Sequence, residues 1–263
     1  MIFCIHNAKS NRRGTDNRLM TTDEIQYQLG EMGKARASAE SELAEIKTGL
    51  GRMQEGIVWF AAVPFQRSRD HVPVDLKVIK DMMSNSSYRK AFPEKSCPQR
   101  FRATRTELIH NLVGCREALM PSLHGITLHP RVRSATLELR RDGTVVFGKR
   151  FPDRIALAID ILELYAPWYA GLCLFADIQA AFGISSLAIA QAGMYGLQAF
   201  SLRTGNLMFE GDRLPIKDSS IELFPILLHE EWRPREVFMD WASQLANHFH
   251  EEKPLADGIF VPT

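Results

Sequence analysis

The sequence predicts an α+β chain: a remnant strand, a long amphipathic helix, then a mixed α/β domain. Three observations carry that prediction. Ile2-Phe3-Cys4-Ile5 is one short apolar run, with no second run beside it before a helix begins. A lone strand leaves its backbone donors and acceptors without partners, so it reads as the end of a sheet formed elsewhere. Residues 21–50 then place apolar side chains at alternating steps of four and three, one continuous helical stripe. From about residue 52, strand-length apolar runs alternate with helical periodicity. The expected organisation is residues 1–20 as the tail of an upstream domain, 21–51 as a connecting helix, 52–252 as an accessory domain and 253–263 as a loose tail.

The long helix opens on Thr21-x-x-Glu24, a capping box in which the threonine oxygen accepts an early helix N–H and the glutamate reaches back to the cap. Its stripe is Ile25, Leu29, Met32, Ala39, Leu43, Ile46 and Leu50, with Arg36 in the remaining slot. The stripe suits packing on its own domain, and it equally suits a partner helix in a dimer. Arg36 and the small Ala39 weaken a coiled coil. Gly49 and Gly51 flank the helix end.

Ile57 to Val63 reads as a buried strand that Pro64 stops. Residues 66–73 form a polar loop, and Val74 to Met83 a short helix with Leu76, Ile79 and Met83 on one side. Residues 84–105 lack a hydrophobic period. There Arg89, Lys90, Lys95, Arg100, Arg102 and Arg105 interleave with Tyr88, Phe92 and Phe101. Charge plus stacking is how single-stranded nucleic acid is held, and a solvated loop anchored by two phenylalanines has the same letters.

Ala135 to Arg140 alternates faces, Arg141-Asp142-Gly143-Thr144 turns, and Val145 to Lys149 returns. Asp-Gly between alternating runs is a hairpin signal, because glycine supplies the positive φ of the turn. Pro152 and Asp153 open a helix from Arg154 to Tyr165 that Pro167 ends. On it Asp160 and Glu163 fall on the solvated side. Gly171 to Phe182 reads equally as strand or helix. Ser186 to Ala192 and Tyr195 to Leu202 read as strands, and Thr204-Gly205-Asn206 turns into Leu207-Met208-Phe209. Ile221 to His229 is a late strand interrupted by Pro225, hence an edge strand. Trp232 to Phe249 is a last amphipathic helix carrying Val237, Phe238, Trp241, Leu245 and Phe249.

Composition bounds the function. No apolar run reaches the roughly 18 residues of a membrane span, and the first residues carry His6 and Lys9 with no long apolar region, unlike a signal peptide. Cys4, Cys97, Cys115 and Cys173 show no CxxC spacing, which fits reduced thiols in a cytoplasmic protein. The net charge of +1 hides a division: residues 1–154 hold 26 Lys/Arg and 17 Asp/Glu (26 − 17 = +9), and the remainder 6 and 14 (6 − 14 = −8). Such a division is consistent with a nucleic-acid-facing half, with two halves that attract each other, or with no functional meaning.

Catalytic motifs are missing. There is no GxxxxGK[ST], no GxGxxG opening a helix, no GxSxG and no HExxH. His229-Glu230-Glu231 and His248-x-His250 place their donors on diverging sides of a strand or a helix, so no metal site is expected. Cys173 between Leu172 and Leu174 reads as a small core residue. No catalytic residue, metal or cofactor is expected from these residues.

The order of the pieces resembles a known family. Phe3, a polar turn and Arg18-Leu19-Met20-Thr21-Thr22-Asp23-Glu24-Ile25 are similar to the closing strand and helix entry of bacterial Schlafen-AlbA type proteins. Val63-Pro64-Phe65, the Leu139 to Thr144 hairpin and Val237-Phe238-Met239-Asp240-Trp241 resemble that family's proline-ended strand, its later hairpin and its terminal helix. His6 departs from the pattern, standing where the family often has arginine. The resemblance implies that residues 1–20 end an AlbA-like domain whose nucleic-acid surface and any nuclease carboxylates lie upstream of Met1. Within this chain it carries over only the basic turn of Lys9, Arg12, Arg13 and Arg18.

The expected function is therefore an accessory C-terminal region of a nucleic-acid-binding bacterial protein, non-catalytic by itself. Arg12, Arg13, Arg18, Arg89, Lys90, Arg100, Arg102 and Arg105 are its candidate nucleic-acid contacts. A homo-oligomer through the 21–51 helix is the expected protein partner, and no membrane contact is expected. Two alternatives are an interaction module without nucleic acid, and an unrecognised hydrolase using His229 or His248.

Overall fold

The computed structural model describes residues 22–53, 55–65, 75–85, 118–129, 135–151, 158–184, 187–198, 200–203 and 213–249. Its architecture is α+β, with a mostly antiparallel sheet covered by helices on both faces. The first helix, α1, is Thr22–Gly51, and β1, Gly56–Pro64, follows it. Every residue of β1 is buried. Val58, Phe60 and Ala62 point into one apolar core, and Ile57, Trp59, Ala61 and Val63 into another. The alternation of a strand is thus present, with both of its faces apolar.

A short helix follows, α2 (Leu76–Asn85), whose Asp75 cap accepts the N–H groups of Lys77 (2.8 Å) and Val78 (3.4 Å). A meander comes next: β2 (Leu119–Pro121), β3 (Gly125–Leu128), β4 (Ala135–Arg140) and β5 (Val145–Phe151). The β4–β5 turn is the expected Asp-Gly turn. Gly143 sits at φ +90°, and the Asp142 carboxylate accepts the Thr144 N–H at 2.9 Å. In β4, Ala135, Leu137 and Leu139 are buried and the residues between them half-buried.

The remaining elements are β6 (Ala158–Asp160), α3 (Ile161–Phe182), β7 (Ala188–Tyr195), β8 (Ser201–Arg203), β9 (Arg213–Pro215), β10 (Ser220–Glu222), β11 (Ile226–Leu228) and α4 (Pro234–His248). The large sheet has the order β10–β7–β1–β5–β4–β3–β2, with β11 also on β7, and every pairing in it is antiparallel. A small sheet, β6–β8–β9, joins β6 to β8 in parallel.

α3 and α4 cover one face. Phe238 stands edge-on to Tyr165 (centroids 5.1 Å) and Tyr169 (5.5 Å), and Trp241 meets Phe60 at 6.1 Å. α3 comes close to β1 at Gly171, where an added Cβ would lie 2.3 Å from Phe60 Cδ1. α1 covers the other face through Ala39, Leu43, Ile46 and Leu50.

Several expectations are corrected. The helix placed at Arg154 to Tyr165 begins later: β6 occupies 158–160, and α3 starts at Ile161. Pro167 does not end it, because α3 runs on to Phe182 and takes in the ambiguous Gly171 to Phe182 segment. A proline inside a helix loses a backbone bond at roughly 3 kcal/mol. Leu164 to Phe175 are buried throughout, and that packing outweighs the local penalty. Glu163, expected on a solvated face, pairs with Lys149 of β5 at 2.8 Å. The strand expected at Tyr195 to Leu202 is two pieces: β7 ends at Tyr195, Gly196 turns at φ +69°, and β8 starts at Ser201 in the other sheet. The strands β2, β3, β6 and β9 have no counterpart among the expected elements. Thr21, the loop at 66–73, residues 86–105 and the turn at 204–206 lie outside the described residues.

A Gly171→Val substitution should drive side-chain atoms into Phe60. We expect a loss of about 1–3 kcal/mol, read as a lower urea midpoint at unchanged slope. A midpoint equal to the parent's would show that α3 and β1 do not approach this closely.

Candidate association surface

α1 is 30 residues long, about 45 Å at 1.5 Å per residue. Only its C-terminal part lies on the sheet, and two polar clamps hold it there. Glu42 precedes Leu43 of the stripe and Lys47 follows Ile46, so the two flank the apolar seam on opposite sides. Glu42 is buried; its carboxylate accepts from Arg140 of β4 at 2.7 Å and from Thr144 Oγ1 at 3.1 Å. Arg140 also donates to Glu138 at 2.7 Å. Burial works against the Arg140 charge, and its bonds to Glu138 and Glu42 outweigh that effect and raise its pKa.

On the other side Lys47 donates to Glu222 of β10 at 2.9 Å. Tyr195 Oη, at the end of β7, donates to the same carboxylate at 2.7 Å, and its ring stacks on Trp59 at 5.6 Å. Partial burial pushes the Glu222 carboxyl up, but the bonds from Lys47 and Tyr195 hold it below the usual carboxylate range. Burial, then the bond to Glu222, raises the Tyr195 hydroxyl.

The clamps fix the direction of the helix. Glu42 lies at the β4–β5 turn, level with the C-terminal end of β1, and Lys47 lies at the level of Trp59. Towards its N-terminus, α1 therefore runs past the end of the sheet. Residues 22–38 extend about 25 Å, and their stripe is uncovered: Ile25 is 44% exposed, Leu29 59% and Met32 42%. Burying such a side chain is worth about 1.5–3 kcal/mol, so the bare stripe can bind another apolar surface. This half is also weak as a helix. Gly30 and Gly33 each cost roughly 0.5–1 kcal/mol against alanine, and among the described residues nothing lies within 4 Å of a Cβ built at either. Helices in proteins draw most of their stability from tertiary packing. The expectation that the 21–50 helix packs on its own domain is met over its C-terminal half and not over its N-terminal half.

A second surface follows the β10–β11 edge, as the edge-strand expectation for Ile221 to His229 anticipates. Between Glu222↔Gly193 and Ile226↔Ala190, three residues (Leu223, Phe224, Pro225) lie opposite two (Ala192, Gln191), which is a β-bulge. Its backbone is satisfied from both sides: Gln191 Nε2 donates to Leu223 O (2.7 Å), Phe224 N to Gln244 Oε1 (2.6 Å) and Trp241 Nε1 to Phe224 O (3.2 Å). The bulge turns Phe224 outward, 77% exposed.

The eight candidate nucleic-acid contacts, Arg12, Arg13, Arg18, Arg89, Lys90, Arg100, Arg102 and Arg105, all lie outside the described residues. His229 is exposed and accepts the Glu231 N–H at 3.4 Å, while His248 pairs with Asp218 at 3.1 Å. Among the described residues no group of three or more His, Cys, Asp or Glu could hold a metal, and no helix is long and apolar enough to cross a membrane. Cys173 is buried. The clamps escaped sequence reasoning, although their positions beside the stripe were a usable signal. Phe224 escaped it as well, and an isolated exposed phenylalanine leaves no periodic trace.

The Glu222 clamp should depend on acid. A carboxylate held below its unfolded value stabilises the fold above that value, about 4.3, and loses its contribution as pH falls through the lower folded value. The parent should therefore lose stability across that window faster than Glu222→Gln, measured by urea midpoints from neutral to acid pH; parallel curves would sink the assignment. Glu42→Ala should cost about 1–3 kcal/mol at neutral pH, because Thr144 and Arg140 lose a buried acceptor. Comparison with protein-family models, with curated proteins and with solved structures found no match for this chain.

Proposed function

We propose that this chain is an accessory region of a nucleic-acid-binding protein, non-catalytic by itself, which works by association. The observation that carries this reading is the half-covered α1: clamped rigidly at one end and bearing an uncovered apolar stripe at the other. Its described polar clusters support the same reading. Glu42 with Arg140 and Thr144, Lys47 with Glu222 and Tyr195, and Lys149 with Glu163 each tie one element to another.

Nucleic acid enters through the charge division, +9 over residues 1–154 against −8 over the rest. A basic half attracts phosphate regardless of sequence, and the aromatic residues among the basic ones at 88–105 suit single strands. The resemblance to bacterial Schlafen-AlbA type proteins points to the same partner. The uncovered stripe also favours a second reading, an interaction module with no nucleic-acid contact.

Binding of the purified chain to labelled single- and double-stranded DNA and RNA separates the two. We expect binding that weakens steeply from low to moderate salt. Replacing Arg100, Arg102 and Arg105 together by alanine should reduce the logarithmic salt slope by about 0.7–0.9 for each phosphate that is no longer neutralised. A folded protein that binds none of these probes at low salt removes nucleic acid from the reading and leaves the interaction module.

A further inference from the structure

We infer that the uncovered half of α1 pairs antiparallel with the same segment of a second copy of this chain. The inference deepens the association part of the reading above, and it stands or falls apart from the nucleic-acid part.

The segment is chemically suited to meet itself. Ile25, Leu29 and Met32 form a short apolar line, and the positions bordering its seam are uncharged: Gln26 beside Ile25, Gln28 beside Leu29, Gly33 beside Met32. Between Ile25 and Met32 no like charges would face each other across a seam of two such helices; Arg36, in the next slot of the line, lies beyond that stretch and donates to Glu40 at 2.8 Å. Gly33 stands one turn after Leu29 with open space beside it. A glycine there lets a second backbone approach closely, a use that no neighbour among the described residues makes of it.

The stripe is also continuous with one already in use. The same four-three line that seats Ala39, Leu43, Ile46 and Leu50 on the sheet runs on, past Arg36 in one slot, through Met32, Leu29 and Ile25. The overhang therefore presents its apolar side beyond the described strands of the sheet, where a partner helix can lie beneath it.

The orientation follows from charge and from reach. With the dyad beside Leu29, Ile25 of one copy falls beside Met32 of the other. The N-terminus of each helix then reaches the end of the other copy's sheet. That end carries Arg141 in the β4–β5 turn, exposed, and the helix start carries Asp23, also exposed. Opposite charges meet in this arrangement. A parallel pair would instead bring both copies' sheets to the same end of the helices and set Asp23 beside Asp23.

The test is light scattering of the full chain over a range of concentrations, on the parent and on Leu29→Glu. We expect a dimer that dissociates on dilution, and a monomer at every concentration for Leu29→Glu that still unfolds cooperatively on heating, since Leu29 is 59% exposed. Tyr27→Ser, on the opposite side of the helix, should leave the dimer intact. For orientation, Ile25→Cys and Met32→Cys chains are mixed and oxidised, with the parent and its own cysteines as the background. A 25-to-32 cross-link between copies is expected. A parent that stays monomeric, a dimer that Leu29→Glu does not disturb, or 25-to-25 and 32-to-32 links would each overturn the pairing. An intact dimer that binds no nucleic acid would support the pairing while overturning the nucleic-acid reading. A monomer that binds nucleic acid would do the reverse.

Discussion

The structure depends on β1 having no solvent face. A strand buried on one side needs one covering layer, and a strand apolar on both sides needs two. Phe60 requires α3 and α4 above it, and Trp59 requires α1 below it. The flanking strands β5 and β7 are committed by the same demand, because each continues both layers: Val145 and Phe147 with Val146, and Ala190 and Ala192 with Ile189. The small side chains of β7 opposite the aromatic ones of β1 let α3 and α4 settle close to the sheet. Nothing comparable constrains β2, whose Met120 and Pro121 are exposed.

Polar groups are used where apolar packing alone would leave freedom. A helix on a flat apolar strip can slide or roll with little change in buried area, whereas hydrogen bonds to Arg140, Thr144 and Glu222 admit one register. The bulge at Leu223 to Pro225 follows the same logic. Pro225 has no N–H to give, the edge position makes that harmless, and Gln191, Gln244 and Trp241 bond the neighbouring backbone groups. Packing takes precedence elsewhere. The Trp59 and Trp168 indole N–H groups and the Tyr165 hydroxyl are buried with no hydrogen-bond partner among the described residues. These three rings are buried within the two cores, where their area is worth more than a lost bond.

Much of this fold is legible in the sequence, for identifiable reasons. α1, β1, the β4–β5 hairpin and α4 each combine a period with a punctuation signal: stripe and glycine, apolar run and proline, alternation and Asp-Gly, stripe and Pro234. α3 misled because its local signal and its environment disagree. Pro167 reads as a stop, but a helix enclosed on several sides tolerates the proline, and its all-round apolar composition erases the stripe that would have announced it. β2, β6 and β9 are three residues each, too short for a period to exist. The association surface was half legible. The stripe could be read from its spacing, but where its cover ends depends on the length of β1, which no local pattern in α1 records.

That mismatch of lengths is what makes α1 more than a layer of the fold. A strand of nine residues spans about 30 Å and a helix of thirty about 45 Å, so a helix starting level with one end of β1 must outrun the other. A helix serving only as cover would shorten to match, or turn polar where it leaves the sheet. Instead the apolar residues return beyond the boundary: Arg36 takes one slot of the stripe and pairs with Glu40, and Met32, Leu29 and Ile25 then resume the four-three step. Charged residues flank it where it is covered, and uncharged ones where it is bare. The covered half needs flanking charges because its partners, Arg140 and Glu222, are fixed in its own sheet. In the proposed pairing the bare half can omit them, because a surface that meets a copy of itself gains nothing from charges that would have to find their own opposites.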